Sequence, residues 1–277
     1  MLYLCKFLRI IIIIGSTILT IKNCNAGGEF RVAGARSASM GNSSVALTDL
    51  WSAFNNQAAL SGLTAPAAGF YYENRFMLKE LGYKAAALAY PYKIGTVAVN
   101  FAQFGFEAWK ENKVGLSYSK AFGNFIAIGV QLDYCMMHRD ERYGDINYLT
   151  FEVGILSNIT TRLTLGAHAY NPLNTVISET TDERAPAVFR LGGAYEVTDK
   201  FIITAETEKD INDKVLLKSG IEYKLIPTIH LRVGITSDPS TFCFGIGVFY
   251  RKLTMDFSAS YHQVLGFSPQ TSVIYTF

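Results

Sequence analysis

The stretch INYLTFEVGILS, residues 146–157, decides the fold. Leu149, Phe151, Val153 and Ile155 alternate with Tyr148, Thr150, Glu152 and Gly154, the period-two signature of a strand with two unlike faces. A second run repeats it, with Ile229, Leu231, Val233 and Ile235 set against His230, Arg232 and Gly234. A soluble sheet would turn its apolar set inward and carry Lys, Glu and Thr on the other face. Here the second face is mostly Gly, Ala, Ser and Thr with sparse charges, so the apolar set is expected to face lipid and the smaller set a lumen.

Working outward from this stretch, fourteen such segments follow one another, at residues 67–74, 82–92, 95–106, 112–121, 125–137, 146–157, 161–171, 187–197, 200–208, 214–225, 228–236, 241–251, 252–262 and 269–277. After even-numbered segments the turns are minimal, as in KIG, FGN and NIT; after odd ones they are longer and polar, as in ENRFMLKELG, EAWKEN, HRDERYGD and PLNTVISETTDERAP. An even strand count with short turns on one rim and longer loops on the other predicts an all-β fold, a 14-stranded antiparallel transmembrane barrel at residues 67–277, with both termini periplasmic. Tyrosines at segment ends, among them Tyr90, Tyr134, Tyr195, Tyr223 and Tyr250, suit the aromatic girdles of a bilayer. The chain closes on TSVIYTF, with Val273, Tyr275 and Phe277 on one face; a terminal aromatic ending an alternating strand looks like the signal that such barrels present to the barrel-assembly machinery.

Of 277 residues 49% are hydrophobic and only 17% charged, which suits a membrane β domain and excludes a disordered chain. Residues 1–26 read as a cleaved export signal: Lys6 and Arg9 precede an apolar run at residues 10–21, and CNA ends at Ala26. That run is too short for a membrane helix, which needs about 20 apolar residues. The formal charge of +2 loses Lys6, Arg9 and Lys22 with the signal and becomes −1, leaving no basic surface for nucleic acid. Cys135 and Cys243 remain and are expected as buried, unpaired thiols.

Strand parity assigns a lumen network of Lys84, Asp133, Glu152, Arg190, Glu206, Lys218, Glu222, Arg232 and Asp256, with Glu208, His168, His230 and His262. Charges of both signs on neighbouring strands point to an ion-paired, filled interior rather than a selectivity ring of one sign. MDFSASYH places Asp256, Ser258, Ser260 and His262 on one face, but same-face neighbours lie about 6.6 Å apart and a nucleophile needs its base at about 3 Å. No catalysis is expected. The four histidines lack ligand spacing, so no metal or cofactor is expected either. Glu179, Asp182 and Glu183 in the longest loop read as a solvated rim rather than a calcium site.

One segment breaks the pattern. In TDLWSAFNNQAALSG, residues 48–62, Leu50, Trp51, Phe54, Ala58 and Leu60 recur at helical spacing, with Thr48 placed to cap and Gly62 to end a single helix. A fourteen-stranded barrel is too wide for its own side chains to fill, so residues 27–66 are expected inside it as a plug. Leu50, Trp51, Phe54 and Leu60 form its apolar face, and Asn55 and Asn56 are free to bond polar groups of the wall.

The run GARSASMGNSSVALTDLWSAFNNQAALSGL, residues 34–63, resembles the N-terminal segment of the FadL superfamily of outer-membrane barrels and, within it, the PorV/PorQ family of Bacteroidota. The matching positions are Ala35, Arg36, Met40, Gly41, Val45, Ala46, Leu47, Asp49, Ser52, Ala53, Asn56, Ala58, Ala59 and Leu60, while Gln57 stands where the family usually has Pro. The resemblance implies a plug or hatch inside the barrel. It also implies a non-enzymatic accessory subunit that binds other outer-membrane proteins or lipoproteins of a type IX secretion, surface-attachment or barrel-assembly complex. Short loops favour that docking role. The alternative is a FadL-like passive transporter of small hydrophobic molecules, with Gly105 and the aromatics of NFAQFGFEAW, residues 100–109, available for a sideways opening in the third strand.

Overall fold

The computed structural model describes residues 29–140, 144–178 and 183–277; the export segment, Glu179 and Asp182 lie outside them. Fourteen strands form one closed barrel: β1 (Ala67–Asn74), β2 (Gly82–Tyr92), β3 (Gly95–Phe106), β4 (Trp109–Phe122), β5 (Ile126–Arg139), β6 (Ile146–Asn158), β7 (Leu163–Tyr170), β8 (Val188–Thr198), β9 (Phe201–Asp210), β10 (Val215–Ile226), β11 (Ile229–Ser237), β12 (Ser240–Tyr250), β13 (Leu253–His262) and β14 (Gly266–Thr276). Each strand runs antiparallel to its chain neighbours, and β1 closes the ring on β14 from Ala67↔Thr276 to Glu73↔Gln270. Closure gives every strand a partner on both edges, which a sheet in hydrocarbon requires.

Three segments read as loop belong to the wall. β4 begins at Trp109, where Phe106↔Trp109 closes a tight hairpin, β12 begins at Ser240 and β14 at Gly266. The misread run is polar because the barrel continues past the apolar band. Within it Trp109 Nε1 donates to Glu111 at 2.9 Å, and just beyond it Lys113 reaches Glu152 at 2.7 Å.

The outer face carries Leu88, Leu116, Leu132, Leu149, Leu191, Val233 and Phe244, all more than two-fifths exposed. An apolar belt of that extent is lipid-facing. The inner face carries small residues and the buried charges. Lys84 is a correction to the expected lumen set. Tyr83, Ala85, Ala87 and Ala89 are the buried positions of β2, and Lys84 is exposed on the outside, level with Gln103 on β3. On that strand the inward residues are Tyr83 and three alanines, which pack with the plug, and a lysine at the edge of the apolar belt extends its amine toward water.

The expected single helix is also corrected. Helix α1 (Ala35–Ser39) and helix α2 (Ser52–Asn55) are short, Asn56 breaks the second with an extended backbone, and a 3-10 turn (Gln57–Gly62) follows. Asn56 gains from the break. Its side chain accepts from Ala58 N at 3.2 Å and donates to Val45 O at 2.7 Å and to Ile155 O of β6 at 3.1 Å. Asp49 rather than Thr48 receives the Trp51 N–H, at 2.8 Å.

Candidate functional site: a filled lumen under an aromatic vestibule

The segment from Ala33 to Leu60 touches the wall on all sides. Ala35 N donates to Ser272 Oγ on β14, Asn100 Nδ2 on β3 donates to Ala53 O, Ser119 Oγ on β4 to Ala58 O, and Thr236 Oγ1 on β11 to Gly41 O. A chain bonded to opposite sides of a ring lies inside it. Leu50, Trp51, Phe54 and Leu60 are at most 1% exposed, and Trp51 stacks edge-on against Tyr71 of β1 at 5.8 Å.

Two features fit the wall to this plug. The first is a set of paired glycines on adjacent strands, Gly129↔Gly154, Gly166↔Gly192 and Gly220↔Gly234. A Cβ on Gly129 would sit 2.3 Å from Ala58 N, and one on Gly154 2.0 Å from Asn56 Oδ1, so plug backbone occupies the space a side chain would need. The second is a set of buried ionic anchors. Glu152 accepts from Lys113 Nζ at 2.7 Å, Gln131 Nε2 at 2.9 Å and the plug's Gln57 Nε2 at 2.6 Å, and His168 Nε2 lies 2.9 Å away. Arg190 holds Glu206 at 2.7 Å and donates to Asn55 O at 2.8 Å, while Glu206 accepts from Ser44 N at 2.7 Å and Val45 N at 2.8 Å. Arg36 of the plug bonds Glu222 at 2.9 Å, and Arg232 bridges Glu222 and Asp256 at 2.6 Å each. Burial pushes the Asp49 carboxyl above its ordinary value despite the Arg36 guanidinium 3.4 Å away.

Nine of the expected lumen charges therefore meet in three clusters: Asp133 with Glu152; Arg190, Glu206, Glu208 and Lys218; and Glu222, Arg232 and Asp256. Asn55 differs from expectation in bonding the plug itself, at Ala33 O and Ser37 Oγ. Ser258 donates to Gln270 Oε1 and Ser260 accepts from Gln270 Nε2, while the His262 ring accepts the Val264 and Leu265 N–H groups; the serines and histidine of β13 are engaged separately. Glu183 pairs with Arg139 at 3.3 Å. Cys135 and Cys243 are buried free thiols.

Gln57, Lys113, Arg36, Phe30 and the inward glycines were not among the expected site residues. The glycines had a signal, their recurrence at inward parity. Gln57 had only its departure from Pro, which the bond to Glu152 now explains.

Residues 29–32 climb to the long-loop rim. Glu29 pairs with Arg75 in the β1–β2 connection at 2.6 Å, whereas Phe277 N bonds Pro66 O at the other rim. The described ends of the chain thus lie at opposite rims, which corrects the expectation of both on one side; threading the plug through the lumen carries its start across. Phe30 sits 5.1 Å from the Tyr170 ring and 5.9 Å from His168, and Arg31 covers Phe104 at 3.5 Å. Beside them is a cavity of about 60 Å³, lined by the rings of Phe30, Tyr83, Phe104, Tyr148 and Tyr170 and by the polar Arg31, Glu111, Asn112 and Lys113. A polar cavity of about 290 Å³ adjoins it across Glu29–Arg31, and another of about 460 Å³ lies at the short-turn end around Arg36, Glu222 and Arg232. The site is a closed lumen with a small chamber above the plug. β3 pairs without a register shift on both sides, from Tyr92↔Gly95 to Tyr83↔Phe104 and from Thr96↔Ser119 to Phe106↔Trp109, so the sideways opening expected in the third strand is absent.

The chain shares its fold with solved outer-membrane barrels. The chain is similar to the Ralstonia pickettii toluene transporter TbuX (TM-score 0.68, 10% identity, covering 92% of this chain and 99% of that one). It is equally similar to the Pseudomonas putida toluene transporter TodX (0.68, 11%, 90% and 99%), and nearly so to a Pseudomonas aeruginosa FadL homologue (0.66, 12%, 91% and 100%). No family model and no curated relative matches the chain. Two of these neighbours are toluene transporters and none is an enzyme, and they overturn the expected accessory, partner-docking subunit. The inference from short loops fails because the chain spans nearly the whole of the transporter chains it matches.

Proposed function

We propose that the protein is a passive outer-membrane transporter of small hydrophobic molecules. The observation that carries this reading is the aromatic chamber above a plugged lumen, in a barrel that shares its fold with toluene transporters. The rings of Phe30, Tyr83, Phe104, Tyr148 and Tyr170 offer a non-polar solute an apolar surface out of water, beside the polar groups of Arg31, Glu111 and Lys113, and the chamber lies at the long-loop rim, the outward one in such barrels. Residues 27–66 act as the plug that denies the same lumen to ions. The resemblance of residues 34–63 to PorV/PorQ chains supports an origin in Bacteroidota. Phe277 then faces the periplasm, and Val273, Tyr275 and Phe277 serve recognition by the barrel-assembly machinery, Tyr275 and Phe277 stacking edge-on at 5.0 Å.

The test is uptake of radiolabelled toluene by a porin-deficient Gram-negative host with and without the protein. Faster uptake of toluene, with no gain for a charged solute of similar size, is the expected result. Equal toluene uptake in both hosts sinks the proposal.

A further inference from the structure

The two rims of the barrel carry their charges differently. At the long-loop rim Arg75, Arg139 and Lys214 are answered by Glu29, Glu183 and Asp238, at 2.6, 3.3 and 3.6 Å. At the short-turn rim that balance is lost. The six hairpin turns there hold Lys93, Arg162, Lys200, Arg251 and Lys252, all exposed, against one acid, Asp199. Asp199 lies 3.9 Å from Arg162, and among the described residues no carboxylate comes within ion-pair distance of the other four cations.

Exposed apolar side chains accompany these cations into the turns. Ile94, next to Lys93, Phe125 and Ile159 each lie in a turn and are 64%, 58% and 43% exposed. Arg251 lies 5.4 Å over the Tyr250 ring, and Lys120 Nζ, from the outer face of β4, lies 5.6 Å over Phe122. A rim wetted only by water gains nothing from such groups; one seated in the headgroup layer gains from both, with the apolar part at the acyl boundary and the cation at the phosphates. Position round the ring narrows the partner further. With Lys120 and with Lys224 of β10, at the lumen mouth, every short hairpin supplies a cation, at intervals of about 10 Å. A globular partner would cover one arc of such a ring, whereas lipid surrounds all of it.

We propose that the short-turn rim is a binding surface for anionic phospholipid headgroups of the leaflet it faces, the periplasmic one in such barrels. Each unmatched cation meets a headgroup of net negative charge, phosphatidylglycerol being the simplest, and the adjoining ring or aliphatic side chain lies along the top of its acyl chains. A zwitterionic headgroup offers the same phosphate together with a choline that the cation repels, so preference rather than contact is the signature. The long-loop rim, where Arg75, Arg139 and Lys214 are paired, should lack it. The proposal does not rest on the transporter reading.

In a Trp109→Phe background, Tyr250→Trp places a fluorophore beside Arg251 and Lys252, and Phe267→Trp places one near the long-loop rim, where Phe267 is 48% exposed. Each protein is reconstituted in phosphatidylcholine vesicles holding the same minor fraction of dibrominated phosphatidylglycerol or dibrominated phosphatidylcholine, and quenching by the two is compared. At Tyr250→Trp the anionic lipid should associate about threefold more strongly than the zwitterionic one; at Phe267→Trp the two should be equal. Adding Arg251→Gln and Lys252→Gln, exposed turn positions whose change should leave the compact gel band in place, should bring the first ratio down to the second. Equal quenching by both lipids at Tyr250→Trp, the same preference at both rims, or a preference that survives the double substitution overturns the proposal. So does a rim that ignores phosphatidylglycerol but binds soluble polyglutamate through the same two cations, which would assign it to an acidic periplasmic protein.

Discussion

The plug body, from Ala33 to Leu60, and its leading residues, Glu29 to Val32, are consecutive in sequence and held in opposite ways. The body is pressed against wall glycines and tied by buried carboxylates and guanidiniums. The leading residues are held by ring contacts, by one largely buried pair between Arg31 and Glu111 at 2.6 Å, and by Glu29, which solvent half covers. Buried anchors cannot leave without stranding charges in a low dielectric, whereas exposed pairs exchange with water at little cost. The body therefore sets closure, and the leading residues set the size of the chamber above it.

The largest test of that contrast is removal of the body. Deleting residues 34–63 should turn a closed barrel into a leaky one, seen as steady ion conductance in a planar bilayer; wild-type conductance would refute the assignment of closure to the body. Next comes Glu152→Ala, which leaves Lys113 without its nearer carboxylate and unties Gln57, Gln131 and His168. Removing one partner of a buried ion pair costs about 3–5 kcal/mol, so the barrel should lose its compact, heat-modifiable gel band at a clearly lower temperature. Gly154→Val should cost about 1–3 kcal/mol by overpacking against Asn56, while valine at the outward, exposed Gly123, whose Cβ would meet nothing, serves as a control for bulk, its left-handed backbone adding a separate strain.

At the leading residues the effects shrink. Phe30→Ala should leave the melting of the barrel nearly unchanged while enlarging the chamber, read as tighter binding of a small aromatic probe by fluorescence. The smallest effect concerns pH. Burial works to raise the Glu29 carboxyl, but Arg75 and Arg31 outweigh it and hold it below its ordinary value. Its attraction is then complete above the ordinary carboxylate range, about pH 4.3, and is lost as pH falls through the lowered value. Protease access to the leading residues should rise only in that acid range, and a Glu29→Gln protein should show the acid behaviour at neutral pH.

The strand count, the two faces and the terminal aromatic strand were legible because a membrane barrel repeats one rule, lipid outside and small or polar inside, along every strand. Lys84 was misplaced because charge was read as an inward signal on a strand whose inward residues are Tyr83 and three alanines. The tight β3–β4 hairpin was read as a loop because Glu107, Lys110 and Glu111 are polar, although β4 begins at Trp109 and continues past the apolar belt. Helical spacing found the plug's apolar residues and missed the break at Asn56, since a hydrogen bond to Ile155 O from another strand decides that conformation.

The sequence by itself determined that this chain forms a fourteen-stranded barrel with something inside it. Local alternation and turn length are properties of neighbouring residues, and they suffice for that. Only the tertiary structure decided that Gln57 meets Glu152 across 95 positions, that Glu29 and Phe277 lie at opposite rims, and that the wall is complete at β3. Each depends on which strand ends lie side by side once the ring closes, and closure is a long-range condition that no local pattern encodes.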